Sequence, residues 1–64
     1  MKKTHTMVMM LDPDGLPRAW AMGPDVDATR REAHRQLEIY RAKKREVGDP
    51  LADAKFTESA EMVR

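Results

Sequence analysis

Residues 25–47 read DVDATRREAHRQLEIYRAKKREV and form the longest periodic stretch of this 64-residue chain. On a helix of 3.6 residues per turn, the apolar positions of this stretch share one narrow arc. That arc holds Val26, Thr29, Ala33, Leu37, Tyr40 and Val47. Asp25 or Asp27 suits the N-cap, and Gly48 suits the left-handed position that follows a last helical turn. The pattern therefore predicts one long amphipathic helix over residues 25–47.

Two apolar stretches precede this helix, with a strong turn signal between them. Residues 4–11 read THTMVMML, residues 12–15 read DPDG, and residues 16–22 read LPRAWAM. Proline presets φ for the first central position of a turn, and glycine tolerates the positive φ that follows. We therefore expect a β-hairpin over residues 4–22 in which Met9 faces Arg18. A bulge at Gly15 would shift this register by one residue.

The residues after Gly48 predict a short second helix over residues 50–62. Asp49 and Pro50 suit the cap and the first position of a new helix. The apolar residues of this stretch fall on one side, at spacings of four, four and three: Ala52, Phe56, Ala60 and Val63. This stripe is thin, so a frayed tail is the alternative. The predicted fold is α+β: an N-terminal β-hairpin packed on one long amphipathic helix, then a short C-terminal helix (ββαα).

The length of the chain predicts a single small domain, residues 1–64, near the lower limit for an independent core. The chain has no cysteine, so disulfides and thiolate metal sites cannot add stability. Both faces of the hairpin are mostly apolar, and an isolated hairpin is marginal in water. We therefore expect a homodimer, in which two hairpins pair edge to edge as a four-stranded antiparallel sheet flanked by two helices.

The charge of the chain is unevenly distributed, although its net value is +1. Residues 28–46 carry seven Arg and Lys against three Glu, a net +4, and residues 49–64 carry a net −2. The cations of the helix gather on one side: Arg30, Arg31, His34, Arg35, Arg41 and Arg45. Arginines spaced i,i+4 repel each other, and bound phosphates would relieve that repulsion. A nucleic-acid-binding face is therefore the alternative function, and a solvated face neutralised by the acidic tail is the plainer interpretation.

Methionine is frequent for a chain of this size. Six are present, and Met7 and Met9 lie in the hairpin with Trp20. Unbranched thioethers adapt to irregular surfaces, so this cluster suits a recognition face; an ordinary small core is the other interpretation. Ile39 lies about 160° from Leu37 around the helix axis, outside the apolar arc. We expect Met7, Met9, Trp20 and Ile39 to contact a partner protein.

No pattern in the sequence indicates an enzyme, a cofactor or a small-molecule substrate. His5 and His34 are far apart, and no spacing of His, Asp or Glu is typical of a metal site. No Ser, Thr or Lys is paired with an adjacent base at a catalytic spacing. Asp12 and Asp14 fit turn chemistry better than a cation site. No signal peptide or membrane-spanning run is evident, so we expect a cytoplasmic protein without membrane contacts.

The order of hairpin, glycine corner and amphipathic helix resembles the HicB-like antitoxin domain. In that family a Gly-x-Thr/Asp corner leads into a helix with a patterned apolar side that ends in Tyr. The matching residues here are Gly23, Pro24 and Asp25, then Ala33, Leu37, Ile39 and Tyr40. The similarity covers residues 4–44. The family's Pro-Gly-Cys segment is absent, and neither a following strand nor a separate DNA-binding domain is predicted here. The resemblance implies a small module that dimerises and binds another macromolecule.

These patterns together predict a small non-catalytic regulator that acts by protein–protein interaction. Antitoxin-like regulators and inhibitors from phages or mobile elements are proteins of this type. The expected partners are a second copy of the chain and an unidentified protein, and nucleic acid is the alternative.

Overall fold

The computed structural model describes residues 5–63, which form one α-helix packed on a three-stranded antiparallel sheet. The elements in chain order are β1 (His5–Leu11), β2 (Pro17–Gly23), α1 (Val26–Glu46), a 3-10 helix (Pro50–Asp53) and β3 (Thr57–Val63). The strand order in the sheet is β2-β1-β3, so the first strand lies at the centre. The fold is therefore α+β. Thr4, the first residue of the expected hairpin, lies outside the described residues.

The hairpin has the expected faces but not the expected register. Met9 lies opposite Trp20 rather than Arg18, and the register changes between Met10 and Leu11. Over most of the hairpin the pairing is thus displaced by two residues: the five-residue connection displaces it by one, and the irregularity between Met10 and Leu11 displaces it by one more. Side chains alternate between faces with a period of two, so beyond the bulge this displacement keeps Met7 and Met9 on the same face as Trp20 and Met22.

Asp12 organises the connection between β1 and β2. Its side chain is buried, and its Oδ1 accepts hydrogen bonds from the backbone N–H groups of Asp14 and Leu16, both at 2.9 Å. Its Oδ2 accepts a hydrogen bond from Nε of Arg18 at 2.8 Å. These bonds, that from Arg18 above all, hold the pKa of Asp12 below its usual value. Gly15 takes a φ of +83°, as the turn requires.

Helix α1 begins and ends within one residue of the expected bounds. Asp25 is the N-cap, and its side chain accepts a hydrogen bond from the N–H of Asp27 at 3.0 Å. Gly48 takes a φ of +72° just beyond the last turn. Three residues of the predicted apolar arc are buried: Thr29, Ala33 and Leu37. Val26 and Val47, at the two ends of that arc, are exposed.

The core between α1 and the sheet is small. The buried apolar side chains within residues 5–63 are Val8, Met10, Ala19, Ala33, Leu37 and Ala52. Three of these six are alanines, and a Cβ added to Gly23 would come within 2.8 Å of Oγ1 of Thr29. Small side chains therefore let the helix approach the sheet closely. They also leave little buried apolar area to stabilise the chain.

The structure corrects the expected second helix over residues 50–62. Asp49 caps only the single 3-10 turn, through a hydrogen bond from the N–H of Leu51 at 2.9 Å. The chain then forms β3, which pairs antiparallel with β1 over seven residues and places Ala60 opposite Val8. The sequence of β3, TESAEMV, contains good helix formers, but its strand state depends on pairing with β1, which local propensity does not report. The element order is therefore ββαβ.

β3 also changes which edges of the sheet are free. Because β3 occupies one edge of β1, each chain has a three-stranded sheet. The expected four-stranded sheet, built from two hairpins alone, does not take this third strand into account. The outer strands are β2 and β3. Helix α1 lies over β1 and β2 and contacts the 3-10 helix, but it does not lie over β3. Most residues of β3 are consequently exposed.

Candidate functional site

The face of the sheet that turns away from α1 is largely apolar, and we call it the open face. Met7, Met9 and Leu11 of β1 are half-buried at its centre. Trp20 and Met22 of β2 are 58% and 57% exposed at its edge. Cross-strand pairing places Met7 beside Met22 and Met9 beside Trp20. Because paired residues on one face touch, these side chains form a continuous apolar patch.

The open face becomes more polar toward β3. Ser59 lies opposite Met9, and Glu61 lies opposite Met7. The apolar patch is therefore bordered on one side by a hydroxyl and a carboxylate. An apolar patch with a polar rim is typical of surfaces that contact other proteins.

A groove of about 340 Å³ lies between β2 and α1 and meets the open face at Trp20. Its lining comes from Arg18, Ala19 and Trp20 of β2 and from Gln36, Ile39, Tyr40 and Lys43 of α1. The four helical residues are spaced so that they share one side of α1. The groove thus brings together Trp20 and Ile39, two of the four residues predicted to contact a partner. Met7 and Met9, the other two, lie on the open face next to it.

The charged side chains that line the groove are cationic. Arg18 is held by Asp12, whose carboxylate raises the pKa of the guanidinium. Lys43 is exposed. Gln36 donates a hydrogen bond from Nε2 to Glu32 at 2.7 Å, and this bond is the main reason that the pKa of Glu32 lies below its usual value. The groove therefore combines apolar walls with one ion-paired cation, Arg18, and one exposed cation, Lys43.

Tyr40 contributes to the lining of the groove. Its hydroxyl is buried and has no hydrogen-bond partner among residues 5–63. Its ring lies edge-on to Phe56, with centroids 6.1 Å apart, and Nζ of Lys44 is 5.3 Å from the ring centroid. These contacts hold the ring in place.

The basic side of α1 is met by acidic side chains from the C-terminal part of the chain. Glu58 of β3 accepts a hydrogen bond from Nε of Arg30 at 3.1 Å and lies 2.9 Å from Nε2 of His34. His34 first, and then Arg30, hold the pKa of Glu58 below its usual value. Nη2 of Arg45 lies 3.5 Å from Oδ1 of Asp53. Three of the six predicted anion-binding residues are therefore paired with acidic side chains of the C-terminal part of the chain.

The remaining predicted cations do not form one surface. Arg41 donates a hydrogen bond from Nη1 to the carbonyl of Ala52 at 3.0 Å, and its guanidinium lies 5.1 Å from the ring centroid of Phe56. Arg41 therefore attaches the 3-10 helix to α1. Arg35 lies 3.5 Å from a glutamate one turn earlier, and Arg31 is exposed.

Sequence reasoning missed several residues of the groove. It assigned Tyr40 to the apolar arc and Arg18 to a pair within the hairpin, and it did not single out Gln36 or Lys43. A signal was present, because positions 36, 39, 40 and 43 follow the i, i+3, i+4, i+7 spacing of one helix side. That side becomes a groove only where β2 lies next to it, and the position of β2 is a tertiary feature.

No cluster of three or more His, Cys, Asp or Glu side chains within residues 5–63 is placed to hold a metal ion. In the same part of the chain, no helix combines the length and the apolar composition needed to cross a membrane.

Comparisons with protein-family models, curated proteins and solved structures find no match to this chain. The resemblance to HicB-like antitoxin domains therefore stays a prediction that rests on the quoted residues.

Proposed function

We propose that this protein is a small non-catalytic regulator that acts in the cytoplasm by binding another protein. The observation that carries the proposal is the position of Trp20, whose exposed indole lies where the open face meets the groove. Burying roughly 100 Å² of indole surface on binding would contribute about 2.5 kcal/mol. Tryptophans that gain this much burial at the centre of an interface are frequent binding hot spots.

The contact residues would be Met7, Met9, Trp20 and Ile39, which border one continuous surface. Trp20 and Ile39 would contact a partner side chain from opposite walls of the groove. The two methionines would adapt to the rest of the partner, because thioether side chains repack easily. The exposed Lys43 at the groove favours a partner segment that carries a carboxylate.

The proposal assigns the chain to the kind of protein that includes antitoxin-like regulators and inhibitors from phages or mobile elements. The resemblance to HicB-like antitoxin domains implies the same mode of action. We propose further that the protein works as a homodimer, because its core contains few side chains larger than alanine and a second copy would enlarge the buried apolar area.

Nucleic-acid binding through the arginine-rich side of α1 is the second candidate function. Its support is the net +4 charge of residues 28–46 together with the exposed Arg31. The ion pairs of Arg30, His34 and Arg45 weaken it, because a phosphate would have to displace carboxylates that already neutralise those cations.

Photocrosslinking tests the main proposal directly. A photoreactive amino acid replaces Trp20 or Ile39, and matched control variants carry it at Arg31 or Glu38 on exposed positions of α1. Illumination of cells that make each variant should yield the same single protein adduct from positions 20 and 39 and no such adduct from positions 31 and 38. Circular dichroism on each purified variant checks that it folds.

Equal adducts from all four positions would contradict the proposed surface. Nucleic-acid adducts confined to position 31 would favour the second candidate. That candidate also requires binding of short labelled DNA or RNA that weakens steeply between low and physiological salt and is lost in Arg31→Glu.

A further inference from the structure

We propose that a second copy of this chain pairs with the outer edge of β3, antiparallel, about a twofold axis at Ala60. The inference rests on the self-association proposed above and gives it a location. It is independent of the groove and of the identity of the foreign partner.

The two outer strands of the sheet are protected to different degrees. β2 begins with Pro17, which cannot donate to a further strand, and the register of β2 with β1 is interrupted by a bulge. β3 has no proline and no lysine, and its pairing with β1 runs unbroken from Thr57 to Val63. β3 does carry Glu58 and Glu61, but a seven-residue edge without proline or a bulge keeps its backbone groups free to pair with another strand.

Within residues 5–63, β3 is only partly covered on the side of the sheet that carries the helix, where Arg30 and His34 of α1 reach Glu58. Met62 lies opposite the buried Thr6, which places its side chain on that side, yet it is 63% exposed. Ala60 on the same side is exposed too. The helix α1 stops short of this strand. A second β3 laid alongside would bring new side chains next to both residues.

The sequence of β3 allows self-pairing without opposed carboxylates, and one such register pairs the whole strand. A twofold axis perpendicular to the sheet keeps each side chain on its own face of the sheet. Residues directly opposite each other in antiparallel strands share a face, so the axis must lie between two copies of the same residue. Centred on Ala60, the midpoint of β3, it pairs all seven residues of the strand with the partner copy. Glu58 then faces Met62, and Glu61 faces Ser59. A shift of the centre to Glu58 or Glu61 would place two carboxylates directly opposite each other, which is unfavourable.

The resulting assembly would be a six-stranded antiparallel sheet with both α1 helices on the same face. The open faces of the two copies would form one surface, and the two grooves would lie at the outer β2 edges. The dimer would therefore present two equivalent copies of the proposed binding surface and leave both accessible, which would raise the avidity for a partner with two matching segments.

Charge exchange at the axis tests the inference. Ala60→Glu and Ala60→Lys each place like charges opposite each other across the axis, and a mixture of the two places opposite charges there. Sedimentation equilibrium of the wild-type chain should give twice the 7.4 kDa chain mass. Each variant alone should show at least a tenfold higher dimer dissociation constant, and the equimolar mixture should recover most of that loss.

A cysteine crosslink provides a second, independent measurement, because the natural chain has no cysteine. Ala60→Cys should form a disulfide-linked dimer rapidly under mild oxidation, since the two Cα atoms at the axis lie within bridging distance. Met22→Cys, an exposed position on the opposite edge strand, is the matched control and should remain uncrosslinked. Circular dichroism establishes that each variant is folded.

A wild-type chain that stays monomeric at all concentrations would overturn the inference. So would a dimer that is insensitive to charge at position 60, or one that crosslinks at position 22. Met22→Glu separates the two proposals: it should weaken binding of the foreign partner while the dimer dissociation constant stays unchanged. A dimer without partner adducts, or partner adducts without a dimer, would each identify which of the two proposals fails.

Discussion

The two faces of the sheet carry apolar side chains of very different size. The covered face, toward α1, is built mostly from small residues: Thr6, Val8, Met10, Ala19, Ala21 and Gly23. The open face carries large ones: Met7, Met9, Leu11, Trp20 and Met22. The small residues allow close helix packing, and the large residues lie where no helix covers them. Stability and binding therefore depend on two separate sets of side chains, and mutations should separate them.

The largest effect should come from the covered face. Leu37→Ala removes the largest buried side chain that α1 contributes to the core and should reduce the free energy of unfolding by about 2–5 kcal/mol, measured by urea denaturation. In a chain this small, such a loss is comparable with the whole stability. Ile39→Ala, two residues away and 42% exposed, should cost less than about 1 kcal/mol. Equal losses in the two variants would break the distinction between the faces.

The variant Gly23→Ala tests how closely α1 approaches the sheet. The added methyl group would meet Oγ1 of Thr29 at 2.8 Å, and that hydroxyl donates a hydrogen bond to the carbonyl of Asp25 at 2.7 Å. We expect a loss of about 1–3 kcal/mol in the free energy of unfolding. A double-mutant cycle with Thr29→Ala should recover part of it. Strict additivity in that cycle would show that the helix does not constrain this position.

Acid should destabilise the turn that joins β1 and β2. The pKa of Asp12 lies below its usual 3.8, chiefly because of the hydrogen bond from Arg18. The carboxylate therefore stabilises the fold at pH values above that usual value, and this contribution disappears as the pH falls through the lowered pKa. In pH-dependent thermal unfolding, Asp12→Asn should be less stable than the wild type at neutral pH, and the difference should shrink in acid.

Asp14→Asn is the matched control for this titration, because it removes a carboxylate from the same turn without removing a hydrogen bond described within residues 5–63. If the melting temperatures of the wild type and Asp12→Asn differed by the same amount at every pH, the role assigned to Asp12 would be contradicted.

The smallest effect on stability should come from the open face. Trp20→Ser removes a side chain that is 58% exposed and should reduce the free energy of unfolding by about 1 kcal/mol, whereas it should abolish crosslinking of a partner at position 39. A large loss of stability in this variant would mean that Trp20 belongs to the core of the free protein and would remove the contrast between the faces.

Local patterns in the sequence predicted the hairpin faces and the span of α1 because these depend on short-range chemistry. Alternation assigned Met7 and Met9 to one face whatever the register, and Asp25 and Gly48 marked the helix ends. The register itself depended on the side-chain hydrogen bonds of Asp12, which extend the connection by one residue beyond the four that the turn signal suggests.

β3 and the groove could not be predicted in the same way. The strand consists largely of residues that favour helices, and its pairing partner lies some fifty positions earlier in the chain. The groove needs β2 beside α1, so Trp20 and Ile39 were recognised separately and their proximity was not. The pairing of the basic side of α1 with acidic residues such as Glu58 was foreseen only as one of two interpretations.

The central position of β1 has a consequence for how this chain acquires its structure. His5–Leu11 pairs on one side with a strand that follows almost at once and on the other with Thr57–Val63. During synthesis the hairpin and α1 can form before β3 is available, and one edge of β1 stays unpaired until Thr57–Val63 has emerged. Closing that long loop is slow compared with forming a hairpin. In this interval the exposed edge can recruit a strand from a neighbouring molecule, so misassembly should increase with the rate of expression.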